Sequence, residues 1–496
     1  MNTTRFNSIL LSTGIFLLFV VSYNVLAWKS IESAETLLYA VFFGSLFFHS
    51  FNRDPYNCLY FFILWLPFQT FVLSMMSATD IFSNSLITFL AALKELALAV
   101  LLTTMLNKRM IQWERLSKGD KLFLLNIAII LLYFVIPDSV FGVSGGLKVR
   151  IFGLRASLVT LLLFLVGRYV PYDVAGVTKA IKLLCGVCVL VILFGIVELL
   201  FIQRQTLISG LISYNRLKGG DLENLGTVDF SYIVEFGGIL VKRMMSFFLS
   251  PLGLAYFMIF PFAFVLSAFH QQDVWERKVL PNPLFLLTLI GIAILLSNTR
   301  AVIAACLLIV VIVYSGRRSY KGFVVLGLFA LVIAVSPLKS IITATTSLED
   351  PSASAHAFAY VMGVERVLSH PLGIGLGQAG PTSFTIKGAG GLYGQDDASV
   401  GESLYLTIAM ERGLPGLGVF IIFVSYIAWT GKKLSEMNVD ELSTILGMAI
   451  FLSTAGFMIA SIPTEVWLGF QSAGIYWWFA GLAVQRVSHY KLESVR

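Results

Sequence analysis

The residues most suggestive of chemistry are the glycines of GIGLGQAG (373–380), where Gly375, Gly377 and Gly380 fit the pattern G-x-G-x-x-G. In a dinucleotide-binding site this pattern follows a strand and opens a helix within a βαβ unit. Here residues 355–368 carry a helical pattern that ends at His370 and Pro371, and the sequence indicates no βαβ unit. The spacing therefore predicts a tight turn. Either backbone packs against backbone there, or a re-entrant turn presents backbone amides to a ligand.

Five arginines could bind an anionic group, because the planar guanidinium binds phosphate oxygens in pairs and stays charged. They are Arg150, Arg155, Arg243, Arg300 and Arg366. The structural alternative for each is an interfacial side chain that reaches water, or an ion pair within the protein. No metal or cofactor is predicted. Zinc-type ligand spacing is absent, and Cys185-Gly-Val-Cys188 lies inside an apolar run where packing is expected.

The elements that position these residues are membrane helices. Of the 496 residues, 57% are hydrophobic and 13% are charged, against roughly 45–50% apolar and about 25% charged in soluble domains. A straight crossing needs about 20 apolar residues, so the chain is predicted to be an all-α, polytopic membrane helix bundle of about 12–14 transmembrane helices. The candidate spans are 9–28, 34–51, 57–78, 81–106, 121–137, 155–170, 177–203, 244–269, 282–297, 301–315, 321–338, 403–430, 441–461 and 466–484.

The distribution of charge predicts the orientation of these spans, because cytoplasmic loops favour Lys and Arg. With the N-terminus inside, the inner segments hold twenty of the 35 basic residues and ten acidic ones, whereas the outer segments hold fourteen basic and sixteen acidic residues. Both termini are therefore expected in the cytoplasm. The basic balance reflects membrane orientation and does not indicate a nucleic-acid partner.

Two predicted outer segments, 204–243 and 339–401, are longer than simple turns, and loops beyond about 12–15 residues tend to be functional or disordered. The chain is accordingly divided into N-terminal transmembrane helices (1–338, including the outer loop 204–243), an extracytoplasmic loop subdomain with the glycine-rich turn (339–401), and C-terminal transmembrane helices (402–496). The five arginines fall on the outer side or at outer helix ends. Positive charge there runs against the orientation rule.

Four sequence boxes follow one another along the chain: VKRMMSFFLSPLGLAYF (241–257), LSNTRAVIAA (296–305), SHPLGIGLGQ (369–378) and GESLYLTIAMERGLPGLGVF (401–420). Together and in this order they resemble the signature of bacterial O-antigen ligases and polymerases. The resemblance covers about residues 240–430. It implies a GT-C-like membrane glycosyltransferase that moves a glycan from undecaprenyl pyrophosphate to a sugar hydroxyl, with inversion and without a nucleotide-sugar donor.

The resemblance also implies roles for particular residues. The arginines would stabilise the departing pyrophosphate, with Arg300 catalytic and Arg243, Arg155, Arg150 and Arg366 binding substrate. Where ligases usually carry a histidine, this chain has Glu402, which could serve as general base if it is partly desolvated. The alternative role for Glu402 is a first-turn carboxylate that favours the helix dipole. Tyr405 keeps the family pattern, and His370 is either a substrate ligand or structural.

The favoured function is a polysaccharide polymerase, because polymerases vary more than ligases at the position of Glu402. It would extend O-antigen, capsule or exopolysaccharide in the bacterial inner membrane, with a flippase and a chain-length regulator as candidate partners. One alternative is an O-antigen ligase that transfers the glycan to lipid A core. The other is a secondary transporter or flippase, which would place ionisable residues near the bilayer midplane. Lys94, Glu95 and Glu198 lie well inside spans and are of that kind.

Overall fold

The computed structural model describes residues 33–79, 81–111, 116–141, 146–202, 209–217, 233–236, 239–271, 279–280, 282–314, 351–380 and 403–493. Glu402 and the candidate spans 9–28 and 321–338 lie outside these residues.

The described residues form helices and one short hairpin. The first helices are α1 (Ser33–Arg53), α2 (Tyr56–Ser77), α3 (Asn84–Ala91), α4 (Leu93–Asn107), α5 (Lys118–Val135), α6 (Gly146–Tyr169), α7 (Val174–Phe201) and α8 (Leu211–Leu217). Strands β1 (Ile233–Phe236) and β2 (Ile239–Lys242) pair antiparallel, Phe236 with Ile239. The remaining helices are α9 (Pro251–Gln271), α10 (Pro283–Ser297), α11 (Arg300–Tyr314), α12 (Pro351–Ser369), α13 (Leu404–Glu436), α14 (Glu441–Ala460) and α15 (Phe470–Glu493).

The predicted class, an all-α polytopic membrane bundle, is confirmed. Within the described ranges, six helices are long and apolar enough to cross a membrane, namely α2, α6, α7, α9, α13 and α14. The pair α3 and α4, bent by 50° at its break, makes a seventh if it is one span, and α10 and α11 are shorter apolar helices. Each candidate span that the structure describes coincides with a helix or a bent pair. The total of fourteen stays a prediction.

The core is built by close helix contacts at small residues. A Cβ added to Gly167 of α6 would lie 1.8 Å from the carbonyl oxygen of Trp478 on α15, and one added to Gly481 of α15 would lie 2.2 Å from that of Phe164. Such contacts let helix backbones approach in a membrane, where the hydrophobic effect drives little association. The cysteines are buried and free, which confirms that Cys185 and Cys188 are packing residues.

Two ion pairs, one of them buried, fix the end of the bundle where α5 and α14 begin. Arg168 donates to Asp120 at 2.9 and 3.1 Å, joining the end of α6 to the start of α5. Arg486 of α15 donates to Asp440, the N-cap of α14, at 2.7 Å. Arginine suits such sites because its fork matches a carboxylate. The opposite end, where α2, α5 and α14 end and α6, α9 and α13 begin, carries the features described next and is called the cavity end.

Candidate functional site

The glycine segment 373–380 is buried at the cavity end, after helix α12. Gly373, Gly375, Gly377 and Gly380 all have positive φ, at 86°, 100°, 74° and 67°. Residues with a Cβ are disfavoured in this left-handed region, whereas glycine is not. The segment therefore needs glycine at these positions. Because it follows a helix and not a strand, it also lacks the context of a dinucleotide site.

The segment packs directly against the backbone of α6. A Cβ on Gly377 would lie 2.3 Å from the carbonyl oxygen of Val149, and a Cβ on Gly153 would lie 2.3 Å from the amide nitrogen of Gly377. Both distances are far shorter than van der Waals contact. The interpretation of the glycines as a turn in which backbone approaches backbone is confirmed.

The backbone amides of the segment bind helix α13. The amide of Ile374 donates to the carbonyl of Met410 at 2.6 Å, and that of Gly375 donates to the carbonyl of Glu411 at 3.1 Å. The amide of Gly377 donates to Glu411 Oε1 at 2.8 Å, and this carboxylate is buried. The alternative of a turn that presents its backbone amides to a ligand is therefore wrong for these three amides. They donate hydrogen bonds to α13 instead.

Helix α13 is broken at Gly413 to receive this turn. Gly413 has φ 68° and ψ 178°, which is not helical. The amide of Leu414 donates to the carbonyl of Pro371 at 2.9 Å, and the hydroxyl of Tyr133 on α5 donates to that of Leu372. The turn thus contacts α5, α6 and α13 and links them. Its backbone also provides hydrogen-bond partners for groups of α13 that the break leaves without helical partners.

The first turn of α13, which follows Glu402, is held by neighbouring helices. Ser403 Oγ lies 2.9 Å from the hydroxyl of Tyr360 on α12, and this hydroxyl also contacts the carbonyl of Ile462. Burial raises the pKa of the Tyr360 hydroxyl above its ordinary value. Tyr405 donates to the carbonyl of Met458 at 2.6 Å. The hydroxyl of Tyr405, a predicted substrate ligand, thus joins α13 to α14.

A cavity of about 370 Å³ opens at the cavity end, beside the glycine segment. It is lined by Gln69, Thr70, Lys94, Tyr214, Gly253, Tyr256, Glu465, Val466, Gly469, Phe470, Gln471 and Ser472. Thr407 of α13 donates to Glu465 Oε1, and a Cβ on Gly380 would lie 2.2 Å from that oxygen. The last glycine of the segment therefore contacts a wall of the cavity.

Arg155 binds a carboxylate directly behind this cavity. Arg155 donates to Glu95, and the ammonium of Lys94 lies 3.4 Å from the other oxygen of Glu95. The side chain of Glu95 is 7% exposed, against 24% for Arg155. Ionisable residues within membrane helices are costly and pair with each other. Arg155 therefore fits the structural alternative, an ion pair within the protein, and Glu95 balances its positive charge.

Arg243 and Arg300 lie on neighbouring turns of the cavity end. Arg243 donates to the carbonyl of Ser297 at 2.9 Å and to Thr299 Oγ1 at 3.2 Å. Arg300, half-buried, follows Thr299 as the first residue of α11. Buried Glu198 accepts from the amides of Met245 and Ser246 at 3.1 and 2.7 Å. It thereby holds the segment that carries Arg243.

None of the five predicted arginines lines the cavity, and neither does His370. Arg150 donates to the carbonyls of Phe134 and Ile136 at 2.9 and 3.3 Å, where it caps the end of α5. Arg366 is half-buried in the last turn of α12. His370 is exposed, and its Nδ1 lies 3.0 Å from Ser369 Oγ. The structure does not bring these three to the cavity wall.

The polar residues of the cavity were missed by motif reasoning. Lys94 carried a signal, because a charge within an apolar run points to function or pairing. Glu465 and Gln471 carried no such signal. Glu465 lies between α14 and α15, Gln471 lies in the first turn of α15, and neither belongs to a motif. Among the described residues no group of three or more His, Cys, Asp or Glu side chains could hold a metal ion.

Comparison with known families places this region in context. Residues 284–421 match the family model described as O-antigen ligase. The match spans α10, α11, α12, the glycine segment and the first half of α13, so it includes three of the four sequence boxes. The box at 241–257 lies outside it. A comparison with curated proteins found no match.

Proposed function

Because this multi-pass membrane protein carries an O-antigen ligase domain of the ligase and polymerase superfamily, we propose that it is a polysaccharide polymerase. It transfers a glycan from undecaprenyl pyrophosphate to a sugar hydroxyl of another lipid-linked repeat unit. The observation that carries this proposal is the family match over the glycine segment and the broken helix α13. Both border the cavity end, where the outer side of the membrane is proposed to lie.

The reaction forms one bond and breaks another. The acceptor hydroxyl oxygen bonds to the anomeric carbon, and the bond from that carbon to the pyrophosphate oxygen breaks. The pyrophosphate leaves with the bonding pair, and the hydroxyl proton passes to a base. Glu402 is proposed as this base, because it directly precedes the anchored Ser403. Attack opposite the leaving group gives inversion.

Arg243 and Arg300 are proposed to stabilise the departing pyrophosphate. Fixed cations aimed at developing negative charge are an effective form of catalysis. The two hydrogen bonds that Arg243 makes to Ser297 and Thr299 position it next to the residue that precedes Arg300. The proposal places both guanidinium groups within about 10 Å of each other around one diphosphate.

The direct test uses purified protein with lipid-linked repeat units and no nucleotide sugar. A polymerase makes longer lipid-linked chains from this single substrate, and a gel of the labelled glycan displays them. The description of the matched family favours a second candidate, the ligase. A ligase forms product only after lipid A core is added. The absence of any covalent product under both conditions would overturn both enzyme proposals and favour transport.

A further inference from the structure

The cavity between α2, α4, α9 and the segment 465–472 has the size of a small ligand site. Its volume is about 370 Å³, at the lower end of the roughly 300–1,000 Å³ of ligand pockets. Its walls come from α2, α4, α8, α9 and α15 and from the turn before α15. A site of this size suits one sugar unit better than a long chain.

The chemistry of the walls is mixed, and this distinguishes between ligands. The ammonium of Lys94 can only donate hydrogen bonds, the carboxylate of Glu465 can only accept them, and the amide of Gln69 can do both. The amide of Gln471 already donates both Nε2 hydrogens within the protein, so it can accept through its oxygen. A diphosphate accepts but does not donate, and Glu465 would repel it. A lipid tail offers these groups no partner. Sugar hydroxyls both donate and accept, so they match all four.

The charges at this site also cancel. Lys94 and Glu465 line the cavity, and Arg155 and Glu95 pair directly behind it. Arg412 of α13, which interacts with both Glu465 and Glu411, adds one further pair. Three cations and three carboxylates leave no net charge, as expected for an uncharged ligand. A site for a diphosphate would instead require an excess of positive charge.

The polar groups are held in place before any ligand binds. Gln69 Nε2 and Lys94 Nζ both donate to the carbonyl of Ala91, at 2.8 and 2.6 Å, at the break between α3 and α4. Gln471 Nε2 donates to the carbonyl of Leu66 and to Thr70 Oγ1, each at 3.0 Å. Fixed side chains lose little entropy on binding, which favours affinity.

We propose that this cavity binds one uncharged monosaccharide unit of the acceptor glycan, with Lys94, Glu465, Gln69 and Gln471 as its hydrogen-bonding residues. The inference rests on the proposed function, which it deepens by giving the acceptor sugar a site separate from the arginines. The aromatic rings of Tyr214, Tyr256 and Phe470 in the same lining offer apolar surface to a sugar ring.

The test is protection of an introduced cysteine from maleimide. Ser472→Cys places a thiol in the cavity wall at a residue whose hydroxyl bonds the carbonyls of Val466 and Gly469 and none of the four proposed ligands. The native cysteines of the protein are buried. The probes are the oligosaccharide released from the lipid-linked repeat unit by mild acid, and inorganic pyrophosphate. At ten times its dissociation constant a ligand leaves about one site in eleven free, so the oligosaccharide should slow labelling about tenfold. Ser369→Cys, on the exposed end of α12, should label at an unchanged rate.

A second variant tests the residues themselves. In the Ser472→Cys background, Glu465→Gln keeps the size of the side chain but loses a charge-assisted hydrogen bond, so the oligosaccharide should bind about tenfold more weakly. The matched control is Glu436→Gln. Glu436 is the last residue of α13, far along the chain from the cavity lining, and this variant should bind the oligosaccharide as the parent protein does. Elution of both variants as monodisperse protein on size exclusion confirms their folding.

Each outcome decides the inference. Protection by pyrophosphate but not by oligosaccharide would overturn it, as would no protection by oligosaccharide up to its solubility limit. Equal binding by Glu465→Gln and its control would remove Glu465 from the site. Protection by oligosaccharide in a protein that forms no polymer or ligated product would support the sugar site while overturning the proposed function.

Discussion

The contact between the glycine segment and α6 gives the sharpest prediction of stability. Gly377→Ala places a Cβ 2.3 Å from the carbonyl oxygen of Val149, where an ordinary contact is 3.4–4 Å, and forces alanine to φ +74°. Overpacking costs about 1–3 kcal/mol, and the left-handed backbone adds roughly 1–2 kcal/mol. We therefore expect a loss of about 2–5 kcal/mol in the free energy of unfolding.

A companion variant separates the two contributions. Gly153→Ala meets the same contact from α6, 2.3 Å from the amide nitrogen of Gly377, but Gly153 lies in a helix without a positive φ. It should show only the steric part, about 1–3 kcal/mol. The double variant should cost less than the sum of the singles, because both disturb one contact.

Gly418→Ala is the matched control for both substitutions. Gly418 lies on α13, and a Cβ there would meet nothing within 4 Å. Alanine should be neutral or stabilise the helix by about 0.5–1 kcal/mol. The assay is the melting temperature of purified protein in lipid nanodiscs, with polymer output measured on the same samples. If Gly377→Ala melts at the same temperature as Gly418→Ala, the turn does not pack against the backbone of α6.

Three further predictions concern the reaction and its orientation. Arg300→Lys keeps the charge but loses the fork, so polymer output should fall sharply; an output near that of wild type would remove Arg300 from pyrophosphate stabilisation. Glu402→Gln should lower turnover by about 10²–10⁴ while donor binding persists, and a loss below about tenfold would make the base dispensable. Ser399→Cys should react with an impermeant maleimide from outside the cell, whereas labelling only from the cytoplasm would invert the topology.

Much of the fold could be predicted from the sequence because membrane helices satisfy their own backbone hydrogen bonds. A local apolar run is then enough to define a span, as α2, α7 and α14 illustrate. The glycine turn was predictable for a similar reason. The clustering of glycine after a helix that ends at Pro371 indicates a local backbone conformation, and no distant partner is needed to infer it.

Only the tertiary structure decided what the polar residues do. The carboxylate of Glu411 belongs to the family box, yet its partner is the amide of Gly377. Arg155 was predicted to bind substrate, but the structure pairs it with Glu95, 60 residues earlier in the chain.

The residues of the cavity are equally far apart in sequence. Lys94 and Glu465 share its lining although they come from opposite halves of the chain. Hydrogen bonds and ion pairs act over a few ångströms between side chains, so their partners depend on how the helices pack. A sequence specifies the periodicity and composition of each helix, but it does not state which polar faces meet. In this protein the spans and the turn were therefore determined locally, and the candidate sugar site by packing.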